Sequence, residues 1–419
     1  MTADEPPRAS TPPARRSWLT RGALGICVAT FFSDVGHEMA TAVLPLYLGT
    51  IGLGPAALGA VEGFADLVYA SAKLAGGYAG QRMRRKAPWV AAGYALTAIG
   101  TASMALVHAP AALGALRATA WAGRGFRSPL RDHLLADEVE PTHYGRVYGI
   151  ERAADMLGAV VGPLLAIVLI AWGLTADEVI GWTILPALVP VLAILLFVRD
   201  RGTTKETVVA SAAAPLPPAF WGLIRAVSLF GVSDFSRTFL ILLAARALEG
   251  SSGASADLSA GFGAGTLTMA VGLYALHNAL SAVAALGIGR LADRLPKSRL
   301  LAAGYAVGAV THAILAFGSE SLAWLVVAVV LSAVYVAAEE TLEKATCAAL
   351  VPRASRSKAF GLLAGANSLG DLVSSVGIGL ALQFGHARLG FTVCAVLAGL
   401  GAWAVARVEV PRDSGSEAA

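Results

Sequence analysis

The pentapeptide AAGYA at residues 91–95 recurs unchanged at residues 302–306, about 210 residues later. Three further matches keep nearly the same spacing: residues 77–83 with 289–295, residues 146–149 with 358–361, and residues 33–34 with 233–234. The chain is therefore a duplication of one long unit, far longer than the roughly 20 to 50 residues of a solenoid repeat. We expect the function to lie between the two halves.

The composition indicates a membrane protein. Hydrophobic residues make up 56% of the chain, charged residues only 14%, and the mean hydropathy is +0.66. Such a chain has too little polar surface to cover a soluble globule of this length. Twelve apolar runs, each long enough to span a bilayer at roughly 20 residues, fall six to a repeat. The predicted fold is an all-α polytopic membrane protein with twelve transmembrane helices in two six-helix bundles.

Basic residues concentrate in alternate loops between these runs, whereas the opposite loops are short and neutral or acidic. The loop after the second run, for example, holds Arg82, Arg84, Arg85 and Lys86. The positive-inside rule then places both termini in the cytoplasm of a multi-pass plasma (inner) membrane protein. This distribution accounts for the net charge of +4 better than nucleic-acid binding does.

The duplication also predicts where the units begin and end. Residues 199–219 are charged and then rich in Ala and Pro, as a linker between bundles would be. The predicted order is a cytoplasmic tail (1–22), an N-terminal six-helix bundle (23–198), a cytoplasmic linker (199–219), a C-terminal six-helix bundle (220–407) and a cytoplasmic tail (408–419). An even number of spans per repeat gives parallel repeats related by an axis along the membrane normal, which is typical of transporters.

The loop that begins at Gly77 resembles a cytoplasmic motif of the major facilitator superfamily, G-x-x-x-D-R-x-G-R-R/K. Gln81 replaces the usual Asp, whereas the second copy keeps Asp293 and Arg294. The stretch from Gly158 through Gly162 to Pro163 resembles the G-x-x-x-G-P motif of the drug/proton antiporter branch. The resemblance implies the two-bundle transporter fold and, for the branch, proton-coupled export.

Ionisable groups inside apolar spans each cost roughly 2.5 to 3.5 kcal/mol on insertion scales, so each needs a partner or an aqueous cavity. Span one carries such groups at offsets of three and four residues, and span two at an offset of four, which places each set on one helix face. The alternative is that these groups only hold the first bundle together. The predicted substrate and proton cavity comprises Asp34, His37, Glu38, Glu62, Asp66, Arg117, Arg124, Asp234, Arg237 and Glu339.

A second set of residues is predicted to act in gating. Aligning the repeats on Gly149 and Gly361 places Arg131 opposite Glu343 and Asp132 opposite Lys344, with the charge order reversed. These pairs are expected to face each other across the cytoplasmic seam, although independent pairs within each helix remain an alternative. The full gating set is Gln81, Arg82, Arg85, Arg131, Asp132, Asp155, Gly158, Gly162, Pro163, Asp293, Arg294, Glu343 and Lys344.

Three local expectations remain. Arg127 is assigned with Arg131 to the inner gate. Asp234 and Arg237 are one turn apart, so a structural role for that pair is as plausible as a substrate role. Glu340 is expected to pair with Lys344, four residues along the helix, which leaves Glu339 as the more exposed candidate.

Taken together, the residues predict a secondary active transporter that exports a small organic molecule in exchange for protons. Proton coupling needs a carboxylate whose pKa depends on which gate is closed, and Asp34, Glu38 and Asp66 fit that role best. No cofactor, metal ion or nucleic acid is expected, and the partners are a small-molecule substrate and the lipid bilayer, with a monomer as the working unit.

Alternatives are an importer of a polar metabolite, siderophore or metal ion, and a non-transporting sensor or structural protein. The chain is not expected to be an enzyme. His37 and Glu38 begin an H-E-x-x-H pattern, but Thr41 stands where the second metal ligand is needed, which excludes a metalloprotease, and no Walker A loop, dinucleotide fingerprint or nucleophile elbow is present.

Overall fold

The computed structural model describes residues 18–51, 55–200, 202, 215–236, 239–240, 243, 264–318 and 321–410. Within these residues the chain forms twelve helices and no β-strand. The first six are α1 (Arg21–Thr50), α2 (Pro55–Arg82), α3 (Ala87–Ser103), α4 (Pro110–Glu138), α5 (Tyr144–Ala171) and α6 (Ala176–Phe197, interrupted at Thr183). The second six are α7 (Pro218–Gly231), α8 (Ala264–Ala292), α9 (Lys297–Gly318), α10 (Leu322–Leu350), α11 (Arg356–Gln383) and α12 (Ala387–Ala406).

The helices form two bundles, as the sequence predicts. In the N-half, α1 to α6, the main contacts are α1 with α5, α2 with α4, and α3 with α4. In the C-half, α7 to α12, α9 packs on α10 and α12, and α8 packs on α10. The halves meet at a surface that we call the seam, where α5 contacts α8 and α2 contacts α11.

Seven of the described helices are long and apolar enough to cross a membrane by length and composition: α3, α5, α6, α8, α9, α10 and α12. Many of their large apolar side chains are exposed, as in α12 at Leu389, Val396 and Trp403. In a membrane protein such a surface is covered by lipid. By contrast, α1, α2, α4 and α11 carry ionisable residues that face other helices, and the charge in these helices accounts for their lower hydropathy.

Connections of four to five residues bring the loops α2–α3, α4–α5, α8–α9 and α10–α11 to the same end of the bundles. We call this the basic end, after Arg84, Arg299 and Arg353. The predicted linker lies mostly outside the described residues. The predicted cavity residue Arg237 does too.

Candidate functional site

A row of arginines on α4 meets the acidic groups of α1 and α2. Arg117 Nη2 lies 2.9 Å from Glu62 Oε1, and Arg124 Nη2 lies 2.5 Å from Asp34 Oδ1. Both guanidinium groups also lie within 6 Å of the Trp121 ring, at 5.4 and 5.8 Å. Asp34 is only 4% exposed, so its ion pair with Arg124 offsets a large desolvation cost. The structure thus brings together four of the predicted cavity residues.

A chain of polar contacts leads from this row to the C-half. The carboxyl groups of Asp34 and Asp155 lie close enough to interact electrostatically. Asp155 in turn accepts a bond from Arg152, one turn earlier on α5. Arg152 Nη2 lies 2.7 Å from Glu340 Oε1 on α10, across the seam. Asp155, predicted to act in gating, therefore links the proposed cavity to the seam.

The remaining predicted cavity residues of the N-half are His37, Glu38 and Asp66. The His37 ring packs edge-on against Trp121 with centroids 4.9 Å apart. Glu38 lies one residue further along α1, and Asp66 is exposed on α2, one turn beyond Glu62. His37 also lines a small pocket inside the N-half, whose other walls are Ser33, Gly36, Tyr94, Thr97, Thr101, Thr183 and Ala187.

The assignment of Arg127 to the inner gate is wrong. Its guanidinium carbon lies 3.8 Å from the centre of the Tyr94 ring, and Nη2 donates to Ser33 Oγ at 2.6 Å. Both partners belong to the N-half, and Arg127 is 2% exposed. Its position on α4 turns it toward α1 and α3 instead of the seam. Tyr94 belongs to the repeated pentapeptide, so this part of the repeat has a local packing role.

Only one of the two predicted cross-seam ion pairs forms. Lys344 Nζ lies 3.9 Å from Asp132 Oδ2, as expected. Arg131, however, pairs with Glu151 at 2.8 Å and with Asp132 at 3.0 Å, both within the N-half. Glu151 also lies 3.3 Å from Lys344. Sequence reasoning missed Glu151, although a buried Glu-Arg pair inside the apolar run of α5 was a signal that could have found it.

Glu343 does not face Arg131, because its carboxylate is satisfied inside the C-half. It accepts a hydrogen bond from the Tyr305 hydroxyl on α9 and another, 2.7 Å long, from Asn367 Nδ2 on α11. Tyr305 is the second-repeat equivalent of Tyr94. Tyr305, on the neighbouring helix of the same half, therefore takes the place of Arg131, the partner that the repeat alignment predicted for Glu343.

The predicted relation between Glu339 and Glu340 is reversed. Glu340 pairs with Arg152 instead of Lys344, and it keeps partial exposure at the seam. Glu339 is 4% exposed, and its nearest charged neighbours include Asp234 and other carboxylates of the C-half. The i to i+4 argument failed because α5 supplies closer partners to both Glu340 and Lys344.

Further ion pairs close the basic end. Asp137 at the end of α4 lies 2.9 Å from Arg353 and 3.3 Å from Arg356, both of the C-half. On the other side of the seam, Asp293 lies 2.9 Å from Arg146 at the start of α5. Burial raises the pKa of Asp293 from its usual value, although Arg146 acts in the opposite direction.

The other loop residues predicted to act in gating do not form ion pairs across the seam among the described residues. Gln81 is buried at the end of α2. The side chains of Arg82, Arg85 and Arg294 are exposed at the basic end, and within the described part of the chain they form no ion pair. The Asp of the second motif copy therefore contributes to the closed end, but the neighbouring arginine does not.

Glycines bring helix backbones into contact at two levels. A Cβ added to Gly158 would lie 2.5 Å from the Phe31 carbonyl oxygen of α1, and one on Gly162 would lie 2.7 Å from that of Val35. These are shorter than real Cβ contacts, so both positions need glycine for α5 to approach α1. Pro163 follows within the same uninterrupted helix.

The seam itself has two glycine contacts. A Cβ on Gly77 would lie 2.7 Å from Gly361 Cα, which fixes the distance between α2 and α11. A Cβ on Gly289 would lie 2.6 Å from the Gly145 carbonyl oxygen and 3.1 Å from Gly149 Cα, which does the same for α8 and α5. Because no side chain separates these backbones, the halves touch closely near the basic end.

Comparison with known proteins gives the family. The family model described as Major Facilitator Superfamily matches residues 26–277 and 238–419. The chain belongs to the major facilitator superfamily. It is therefore a membrane transporter of the alternating-access type, not an enzyme.

Relatives and solved structures agree on the fold of this superfamily member. An uncharacterised MFS-type transporter of Methanocaldococcus jannaschii is 24% identical over 66% of this chain and 68% of its own length. An uncharacterised Mycobacterium tuberculosis protein is 28% identical over 54% of this chain and 58% of its own length. The crystal structure of the human organic anion transporter MFSD10 is similar with a TM-score of 0.72 at 14% identity, covering 94% of this chain and 100% of that chain.

Ion pairs and glycine contacts join the halves near the basic end. The side chains of Glu62 and Glu340 keep partial exposure, 28% and 30%. Within the described residues, no three His, Cys, Asp or Glu side chains are placed to hold a metal ion.

Proposed function

We propose that this transporter exports a small organic molecule across the plasma membrane in exchange for protons, as a monomer without a cofactor. The observation that carries the proposal is the buried pair of Asp34 and Asp155, whose carboxyl groups interact with each other between Arg124 and Arg152. Two carboxylates that interact at close range inside a membrane repel each other when both are ionised, and one proton held by the pair removes this repulsion. The pair is thus a site where a single proton binds inside the membrane.

The surroundings of this pair explain how a proton would affect transport. Arg124 contacts Asp34 on one side, and Arg152 contacts Asp155 on the other. Loss of the proton adds one negative charge beside Arg152, which strengthens its attraction to the N-half. Arg152 is also the residue that reaches Glu340 of the C-half. Proton occupancy therefore changes how firmly an ion pair across the seam is held, which couples protonation to rocking of the halves.

Export is supported by the contact between α5 and α1. The stretch from Gly158 to Pro163 resembles the antiporter motif, and its two glycines pack against the α1 backbone next to Asp34. A Cβ added to Gly158 would lie 2.9 Å from the Cβ of Asp34. The motif that suggests antiport is thus in direct contact with the proposed proton site. The closed basic end, cytoplasmic by the positive-inside rule, corresponds to a state open to the outside.

The test uses everted membrane vesicles from cells that express the full chain, energised by respiration and loaded with acridine orange. A transported compound should release protons from the vesicles and restore the fluorescence, and a panel of metabolites and drugs would be screened. We expect Asp34→Asn and Asp155→Asn to abolish this proton release for each compound that the wild type transports. Asp177→Asn, a carboxylate in the first turn of α6 at the opposite end, is the matched control. Undiminished proton release in both site variants would remove the pair from coupling.

A further inference from the structure

Four carboxylates of the C-half, from the segment after α7 and from α10 and α11, form a cluster that we call the C-half wall. Asp234 follows α7, Glu339 and Glu343 lie one turn apart on α10, and Asp371 lies on α11. Glu339 interacts electrostatically with each of the other three. Two members have hydrogen-bond donors nearby: Tyr335 donates to Asp234 at 2.9 Å, and Glu343 accepts from two neutral donors.

Other acceptors on this wall have no donor within the described part of the chain. Glu339 is only 4% exposed. Among the described residues, no hydrogen-bond donor or cationic side chain contacts its carboxylate. Asp371 likewise has no bonding partner and is exposed. Asn367 donates its Nδ2 to Glu343, and this leaves its buried Oδ1 without a partner. A buried carboxylate without a partner is strongly unfavourable, so this wall is incomplete without a ligand or a proton.

The chemistry of these groups restricts the ligand. Two carboxylates and an amide oxygen offer only acceptors, and a ligand that satisfies all three must supply several N–H donors and a positive charge. Ammonium and guanidinium groups have this character. An anion or a neutral acceptor does not.

The N-half already places such a group next to the wall. Lys73 of α2 reaches across the seam, and its Nζ donates to Ser368 Oγ of α11 at 2.9 Å. Ser368 lies three residues before Asp371, hence on the same face of α11. Lys73 Nζ also lies 4.0 Å from the centre of the Tyr69 ring, a contact that favours a cation. The Lys73 ammonium group also acts electrostatically on Asp371, so a cation is already accommodated next to this carboxylate.

We propose that the C-half wall is the substrate-binding surface and that it binds a polar organic cation through an ammonium or guanidinium group. Glu339, Asp371 and Asn367 Oδ1 accept the hydrogen bonds of the substrate. The inference rests on the proposed transport function and adds the substrate class to it.

Binding measurements test the proposal without requiring transport. The purified full chain in lipid nanodiscs would be titrated with agmatine, which has both groups, at pH 8 by isothermal calorimetry and thermal unfolding. Tetraethylammonium, which has charge but no N–H donor, and succinate, a dianion, are the comparison ligands. We expect agmatine to bind and stabilise the protein, tetraethylammonium to bind at least tenfold more weakly, and succinate not to bind.

Substitutions locate the site. Glu339→Gln and Asp371→Asn should each weaken agmatine binding about ten- to hundredfold, the usual effect of losing a hydrogen bond to a charged group. Asp371 is exposed, so its variant remains informative even if Glu339→Gln does not fold. Glu140→Gln, an exposed carboxylate in the α4–α5 connection, should leave binding unchanged.

Four outcomes overturn the proposal: agmatine does not bind, succinate binds as well as agmatine, tetraethylammonium binds as well as agmatine, or both site variants keep wild-type affinity. These outcomes are separate from those of the vesicle experiment. Agmatine binding without any proton exchange would contradict the proposed coupling alone. Proton exchange driven only by anionic compounds would contradict the substrate class alone.

Discussion

At the scale of single residues, Glu151 connects the two halves, although it was not identified from the sequence. It is 1% exposed, and its carboxylate contacts Arg131 of its own half and Lys344 of the other. Asp132 contacts the same two cations, more distantly in the case of Lys344. One buried carboxylate thus pairs with two cations that belong to different halves.

Replacing Glu151 should therefore loosen the closed state. In Glu151→Gln the two cations keep only Asp132 as a counter-ion, and breaking a buried ion pair costs about 3 to 5 kcal/mol. We expect a lower thermal midpoint and a longer distance between spin labels at Arg84→Cys and Arg299→Cys, which lie on opposite halves of the basic end. Glu140→Gln is the matched control. A midpoint and a label distance equal to those of the control would show that Glu151 does not hold the seam.

Which residues carry charge inside the membrane could be predicted from the sequence, but their partners could be predicted only in part. Asp34 and Arg124 interrupt apolar runs, and a charge inside a membrane must be paired or hydrated. The free-energy cost of burying these charges is therefore enough to mark both residues as candidate site residues. The partner of Arg131 could not be predicted in this way. Aligning the repeats shows which residues lie at the same height along their helices, but it does not show how each helix is rotated or which side chain is nearest. Glu343 found Tyr305 within its own half for that reason.

At the scale of helices, α5 and α8 cross with their backbones in contact at Gly145, Gly149 and Gly289. The existence and approximate extent of these helices followed from hydrophobic length, since few other structures satisfy the backbone in lipid. The crossing points did not follow. Many glycines occur within the spans, and only the packing distinguishes those in contact from those facing lipid, such as Gly287, where an added Cβ meets nothing within 4 Å.

This difference gives a matched pair of substitutions on one helix. Gly289→Val should prevent α8 from approaching α5, because its Cβ already has no room, and so it should separate the halves at the basic end. Gly287→Val adds the same side chain two residues away and should have no such effect. Spin-label distances between Arg84→Cys and Arg299→Cys would distinguish the two. Equal distances in both variants would exclude this crossing as a requirement for closure.

At the scale of the whole molecule, each ion pair that joins the halves among the described residues lies in the part of the seam nearer the basic end. Closure of that end thus brings several charges out of water at once. The arrangement makes the equilibrium between states sensitive to the ionisation of these groups. Asp293 is the clearest case, because it lies in a loop outside the membrane.

Acidification should favour the closed basic end through Asp293. Burial raises its pKa in the closed state, where Arg146, Lys297 and His143 are its charged or titratable neighbours, and opening would return the pKa toward its usual value. The closed state therefore binds a proton more tightly, so its share increases as pH falls through this range and the effect is absent well above it. Asp293→Asn should remove this part of the pH response. Identical label-distance profiles for the variant and the wild type between pH 4 and pH 8 would contradict the prediction.

The two glycine contacts at the seam also bear on how the chain arose. In the duplicated sequence Gly77 is equivalent to Gly289, and Gly361 is equivalent to Gly149. The contact of Gly77 with Gly361 and that of Gly289 with Gly149 are consequently one contact made twice. A single six-helix unit that carried both glycines would make the same two contacts with an identical copy, as in a twofold-symmetric homodimer. Both contacts therefore descend from one ancestral surface, and the line that joins them is where the two halves would pivot against each other.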